Sequence, residues 1–356
     1  MARAIWDELL PHLKPDARPP SASFMNEASR LSRTGHENRL SQGFLKYGLA
    51  ADLPTSYIDV GLRDAHPIIH VHDFVKTLAD NDKLDLLYMG NSSSVYVDFW
   101  ERFRLLQPRH PIFEKPRHLL GSCIPIAVHA DEGTTLKKKS LMILQWQPIL
   151  GRGSRKRRAT QLDPGCNMVG HSLTTRYLFS VMLGRLYGQK NKNRPLLDLV
   201  DSLAADLAKA FDSGIKVGNG QKIFLVPLAM KGDWPALAKI GTLVRHFGCV
   251  SAKLEPKQPP KGICHLCKAD QVGHRAWHNV GYNNMMRMRE GGVPLPWSKT
   301  PSLVNAVKVL GADQPKFFKV DAFHTLHKGV FSDICANTIA QWLHVLSFGF
   351  FSDLVL

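Results

Sequence analysis

Ile223-Phe-Leu-Val-Pro-Leu-Ala-Met230 runs without a charge or a polar side chain, and Lys231-Gly232-Asp233-Trp234-Pro235 closes it at once. An uninterrupted apolar run of this length suits a strand buried on both faces, so the chain must supply layers on either side of it. Pro227 inside the run removes a ladder donor and predicts a bulge or an edge position. Pro235 suits the first turn of a helix, and Ala236 to Phe247 continues at helical spacing. A second run, Cys123 to Ala130, ends on the acidic pair Asp131-Glu132 before Gly133, which predicts a strand and then a turn. Strands that end in Asp, one of them followed by a helix, predict an α/β fold.

Other segments extend this frame. Ser140 to Pro148 is a second strand, and the linker 133–139 has the length of a long hairpin loop, so it should pair with the first. Gly218-Asn219-Gly220 marks a turn before Ile223, and Phe317 to Val320 is a further short strand. Apolar residues at three- and four-residue spacing predict helices over Ile68–Leu87, Val95–Leu106, Thr174–Tyr187 and Leu196–Phe211, the last with Asp201 and Asp206 on its polar side. The Pro-, Ser- and Arg-rich residues 1–60 read as loosely held, with a brief helix at Ala4–Leu13. Gly329–Leu356 reads as a core-facing helix in a chain cut mid-fold. The expected organisation is a loose segment 1–60, a helical region 61–120, a core 121–250, a Cys-containing insertion 251–316 and a truncated continuation of the core over 317–356.

Charge narrows the partners. Lys and Arg number 46 against 30 Asp and Glu, a formal net charge of +16, which favours a polyanion: nucleic acid first, an anionic membrane second. Neither a bilayer-length apolar run nor a secretory signal is visible, so an intracellular protein, nuclear or cytoplasmic, is expected. Six cysteines in 356 residues are too sparse for a disulfide scaffold, and reduced thiols are expected. There is no Gly-x4-Gly-Lys-Ser/Thr loop, no Gly-x-Ser-x-Gly and no His-Glu-x2-His.

Four groups of residues carry chemistry. Asp131 and Asp233 each follow an apolar strand, where α/β sheets present side chains to ligands, and two such carboxylates can share Mg²⁺ (or Mn²⁺) ions about 3.5–4 Å apart. Glu132 is the second choice beside Asp131. The plainer reading makes Asp131 a turn residue and Asp233 the N-cap of the helix that Pro235 starts. Lys137, Lys138, Lys139, Arg152, Arg155, Lys156, Arg157 and Arg158 flank the Ser140–Pro148 strand and, if that strand forms a hairpin, lie at one sheet margin with Asp131, where they can hold a phosphate backbone. Cys264 and Cys267, two apart, suit Zn²⁺, with His274 and His278 or His246 and Cys249 completing the set. Asp321 and His324 share a helix face and can contact phosphate or orient a metal ligand; a helix cap with surface histidines is the plainer alternative.

Taken in order, Val128-His-Ala-Asp131-Glu132, the Ser140–Pro148 strand, Lys231-Gly-Asp233-Trp-Pro, Gly262-Ile-Cys-His-Leu-Cys267 and Val320-Asp-Ala-Phe-His324 resemble transposase-derived proteins of eukaryotic CACTA-like DNA transposons over roughly residues 120 to 330. The resemblance implies a ribonuclease-H-like core, a mixed sheet flanked by helices, with Mg²⁺-dependent DNA strand cleavage and transfer. It places the first Asp after the first strand and the second after the fourth, positions that Asp131 and Asp233 match. Cys264, Cys267, Asp321 and His324 match the family's Cys-containing insertion and Asp-x-x-His string. After His324 the acidic residues are Asp333 and Asp353, neither in the context of a third catalytic position, so the implied two-metal site is partial. The expected partners are DNA and, on self-association, a second copy of the chain. The alternative is a non-catalytic nucleic-acid-binding or zinc-stabilised interaction protein.

Overall fold

The computed structural model describes residues 20–34, 39–47, 52–134, 139–151, 165–167, 175–188, 191–218, 220–245, 262–269, 271, 295–297, 299–308, 311–320 and 331–341. Two helices come first, α1 (Pro20–Thr34) and α2 (Leu40–Lys46). Phe24 and Phe44 meet with ring centroids 4.2 Å apart, and Lys46 Nζ lies 2.7 Å from a Glu27 carboxylate oxygen. The loose segment expected here is therefore helical over these residues, because an aromatic contact joins them. Ala4–Leu13 lies outside the described residues.

A small antiparallel hairpin, β1 (Ser56–Ile58) with β2 (His66–Ile68), precedes α3 (Val71–Asp80), α4 (Leu84–Leu87) and α5 (Ser93–Leu106). The single helix expected over Ile68–Leu87 is split. Ile68 ends a strand, and Asp82 takes a φ of 55° between α3 and α4, a left-handed conformation that Asp tolerates better than most residues.

The sheet follows: β3 (Cys123–Thr134), β4 (Ser140–Pro148), the short pair β5 (Leu150–Gly151) and β6 (Gly165–Cys166), then β7 (Tyr177–Leu183). Two helices, α6 (Gly184–Tyr187) and α7 (Arg194–Asp212), lead to β8 (Ile215–Lys216) and β9 (Lys222–Gly232), which runs into α8 (Trp234–Ile240). A further short helix, α9 (Ser302–Ala306), packs on α7. The five-stranded order is β7-β4-β3-β9-β8, a mixed sheet in which β3 and β9 are parallel and the other neighbours antiparallel. Outside β9, Phe318 makes an isolated parallel bridge to Met230. The β3–β4 hairpin is as the sequence predicts, and β9, next to the two-residue edge strand β8, has the bulge beside Pro227. Thr174–Tyr187 is not one helix: Tyr177–Leu183 pairs with β4 as a strand, because its buried side chains continue the β4 surface.

Helices cover both faces. On one, Ile124, Ile126, Val128, Ala130, Met142, Leu144 and Trp146 join Leu196, Leu199, Leu203 and Leu207 of α7 in the larger core. Each fully buried aliphatic side chain of this kind contributes roughly 1.5–3 kcal/mol. On the other, Cys123, Phe224 and Val226 pack with Trp100 and Ile112, and the Trp100 Nε1–H donates to the Cys123 carbonyl at 2.9 Å. The helix at 331–341 is exposed along its length, with Phe331, Ile334 and Ile339 each more than half accessible, so this part of Gly329–Leu356 does not face the core. Among the described residues no helix is long and apolar enough to cross a membrane.

His110 sits beside the smaller core, its Nδ1 accepting the Ile112 N–H at 3.1 Å, and burial pushes the imidazole down to about 4. The unfolded ring binds its proton near 6.5, so between these values the unfolded chain holds more protons and stability falls as the pH drops through that window. His110→Asn keeps an acceptor for Ile112 but does not titrate. Urea unfolding at about pH 7 and about pH 4.5 should show a smaller acid loss in this variant than in the wild type; an identical loss would remove His110 as its source.

Candidate active site: paired carboxylates on β3 and β9

Register decides which side chains meet at the ends of β3 and β9. Cys123 pairs with Phe224 and Ile126 with Pro227, but Ala127 pairs with Ala229, so Leu228 is the extra residue of a bulge beside the proline. Beyond it Val128 is level with Met230 and Ala130 with Gly232, and the next position on each chain is Asp131 and Asp233. Without the bulge, Asp131 would be level with Gly232. The Pro227 irregularity thus brings Asp131 and Asp233 to the same level, one residue past the last paired positions.

Gly232 makes the approach possible: a Cβ there would overlap the Ala130 carbonyl oxygen. Asp131 is inside β3, paired with Ile143 of β4, which corrects the expectation that the strand stops before it and also the turn reading. Asp233 is the N-cap of α8, with Oδ1 accepting the Ala236 N–H at 2.9 Å, and its carboxylate also takes the Glu132 backbone N–H. Burial raises the Asp233 pKa above the ordinary carboxylate value; the Asp131 and Glu132 charges add to the rise, and the two backbone hydrogen bonds oppose it. The Asp131 charge therefore reaches Asp233.

Glu132 is placed differently. Strand alternation turns it to the other face from Asp131. There the Tyr187 hydroxyl donates to Oε1 at 2.9 Å and the Lys239 ammonium makes a close ion pair with Oε2. Both oxygens are engaged, and burial together with the Glu132 contact raises the Tyr187 phenol well above its usual value.

The loop holding Cys264 and Cys267 docks against the same end of β9. Between them His265 is buried, with Nε2 2.9 Å from the Phe318 carbonyl and its ring 5.1 Å from that of Trp234, the residue after Asp233. The two thiols hydrogen-bond to each other, which with burial raises the Cys264 pKa. Cys123, Cys166, Cys264, Cys267 and Cys335 are all thiols. His274, His278, His246 and Cys249 lie outside the described residues, as do Asp321 and His324.

Of the basic residues, Lys139 is described and exposed, next to the Thr134–Ser140 pair that closes the hairpin on the Asp131 side. Lys137, Lys138, Arg152, Arg155, Lys156, Arg157 and Arg158 lie outside the described residues. Gly151, the described residue before Arg152, follows the end of β4 that pairs Pro148 with Ile126, so the two basic segments do not leave from one margin. Antiparallel pairing of β4 sends its two ends in opposite directions. A cavity of about 270 Å³ opens between α5 and the β9 bulge, with Phe99, Phe103 and His110 on one side and Lys316 and Lys319 at its rim.

Sequence reasoning missed one cluster. Among the described residues, the group of three His, Cys, Asp or Glu side chains whose ligand atoms lie within 4.8 Å of one another is His70, His72 and Asp206. Its signal was the alternation His70-Val71-His72 at a helix start, but the partner on α7 is far away in sequence. No family model, no curated protein and no solved structure matches the chain.

Two measurements follow from this geometry. Gly232→Ala should destabilise by more than about 3 kcal/mol, since a backbone overlap has no flexible side chain to absorb it; a loss under about 1 kcal/mol in denaturant unfolding would contradict the close approach. For Asp233, the folded state holds its proton to a higher pH than the unfolded one, so stability falls as pH rises from 3.8 through the folded value. Asp233→Asn keeps a good cap and removes the charge, so without metal at neutral pH it should unfold at or above the wild-type midpoint, whereas Asp233→Ala should lose about 0.5–2 kcal/mol. Equal losses in both variants would show that the charge carries no cost.

Proposed function

We propose that the protein is a DNA-binding, transposase-like protein with a ribonuclease-H-like core, in which Asp131 and Asp233 bind Mg²⁺ as part of an incomplete strand-cleavage and transfer site. The observation that carries the reading is the level placement of the two aspartates on adjacent parallel strands, with burial and, to a lesser degree, the Asp131 charge raising the Asp233 pKa. Of the long strands β3, β4, β7 and β9, Asp131 is on the first and Asp233 closes the fourth, the order that the transposase resemblance gives to its two Asp residues. A helix-covered mixed sheet is compatible with that core.

The chemistry assigned to the pair is modest. Asp131 and Asp233 would hold the cation, which when bound polarises phosphate oxygens and activates a water or a 3′-hydroxyl. Asp233 keeps one oxygen on the α8 N-terminus, which restrains its carboxylate. Glu132, neutralised by Lys239 and Tyr187, sets the adjacent backbone N–H rather than offering a ligand. Asp333 is on the exposed helix at 331–341. The net charge of +16 supports a phosphate backbone as the partner, with Lys139 beside the hairpin tip. The Cys264–Cys267 pair supports a zinc ion that would fix the docked loop beside Trp234.

Calorimetric titration of Mn²⁺ into wild type, Asp131→Asn and Asp233→Asn tests the pair, and fluorescence anisotropy of a labelled DNA duplex tests the partner. Mn²⁺ affinity should fall at least tenfold in each variant, and DNA affinity should drop steeply with added salt. Mn²⁺ binding indifferent to both substitutions would reduce Asp233 to a helix cap and leave the non-catalytic binding protein as the reading. DNA binding absent at low salt would remove that as well.

A further inference from the structure

We infer a second cation site, for a divalent transition metal of the zinc class, made by His70, His72 and Asp206. His70 precedes α3 as its N-cap residue, His72 is in the first turn, and Asp206 reaches them from α7. His70 Nδ1 lies 2.8 Å from Asp206 Oδ2, and His72 Nδ1 lies 3.9 Å from Asp206 Oδ1. The two imidazoles stack with centroids 4.9 Å apart, both directed at one carboxylate.

A simple helix cap does not account for this. The Val71 N–H already donates to Asp206 Oδ2 at 3.1 Å, so one carboxylate oxygen caps α3 without any help from His72. The second imidazole faces the other oxygen at a separation too long for a hydrogen bond. It is close to the spacing of two ligands that share one tetrahedral ion with bonds of about 2.0–2.2 Å. His72 has its remaining nitrogen, Nε2, 3.3 Å from Asp73 Oδ1, and the backbone N–H of Val71 orients the Asp206 carboxylate. An outer carboxylate on the far nitrogen of a ligating histidine is the support that metal-bound imidazoles ordinarily have.

The donor set chooses the ion. Two neutral imidazole nitrogens and one carboxylate oxygen suit Zn²⁺, Co²⁺ or Ni²⁺, and disfavour Mg²⁺ and Ca²⁺, which want oxygen alone. The side chains remain 25%, 30% and 11% accessible for His70, His72 and Asp206, so an ion can reach them and one coordination position stays open to water. Asp206 lies about 18 Å along α7 from its first residue, Arg194, given a rise of 1.5 Å per residue. Glu132, beside the carboxylate pair, contacts Tyr187 just before α7 begins. A cation at His70, His72 and Asp206 would clip α3 to α7 and hold the β1–β2 hairpin, whose following residue Ile69 donates its N–H to the Phe179 carbonyl of β7 at 2.8 Å.

The test uses the full chain with Cys264→Ser and Cys267→Ser, so that thiolate sites do not compete. Co²⁺ is titrated calorimetrically and by its visible absorption, then His72→Gln and Asp206→Asn are added separately, with far-ultraviolet circular dichroism to confirm folding. Expected is a bound Co²⁺ that Zn²⁺ displaces, with at least a tenfold loss of its affinity in each variant. His72→Gln guards against misfolding, because its partly exposed side chain leaves no cavity. An absence of Co²⁺ binding in the chain lacking Cys264 and Cys267, or binding that His72→Gln leaves within twofold, would overturn the site. Either result is independent of the Mn²⁺ titration at Asp131 and Asp233.

Discussion

The parallel pairing of β3 with β9 is the interaction on which the rest depends. It joins the β3–β4–β7 meander to the segment that begins α8, so both cores are built on its two faces. Both strands are buried over most of their length, so the ladder groups they share must pair with each other. The docked Cys264–Cys267 loop, the Phe318 bridge and the α8 cap all take their positions from the end of β9. Loosening this one ladder would release them together.

The site illustrates how position divides acidic residues into different tasks. Glu132 and Asp131 are neighbours in sequence, yet the pleat sends one to Lys239 and Tyr187 and leaves the other beside Asp233. A paired carboxylate stabilises the fold and has little left to offer a cation. A carboxylate facing another carboxylate costs stability until a cation arrives, which is the usual price of a binding site. The histidine cluster has the reverse character, since its members already hold one another through Asp206 and Val71.

Much of the frame was legible because its signals are local. Ser140–Pro148 is bounded by charge and proline, α7 has a long apolar stripe, and Pro227 marks its own bulge. What escaped depends on partners far away in the chain. Tyr177–Leu183 is a short apolar run that suits a helix or a strand equally, and only β4 beside it decides. Asp131 looked like a turn residue because nothing in its own neighbourhood shows that β4 pairs past it to Thr134. The pair of aspartates was visible, but their common level was not, since it rests on one inserted residue at Leu228. His70 and His72 acquire meaning only from Asp206, across the gap between α3 and α7.

The central ladder also has a kinetic meaning. Cys123 and Phe224 are about a hundred residues apart, so the pairing closes a long loop before any of its contacts can reward it. The antiparallel β3–β4 hairpin is local and can form early, whereas β3 waits for β9 with one edge of hydrogen-bonding groups unfilled. On a ribosome that edge is available from the time β3 leaves the exit until α7 and β9 have followed, an interval in which the half-built sheet is most open to pairing with another chain. Synthesis and refolding at high protein concentration will therefore favour association through β3 itself, at the strand whose far end carries Asp131.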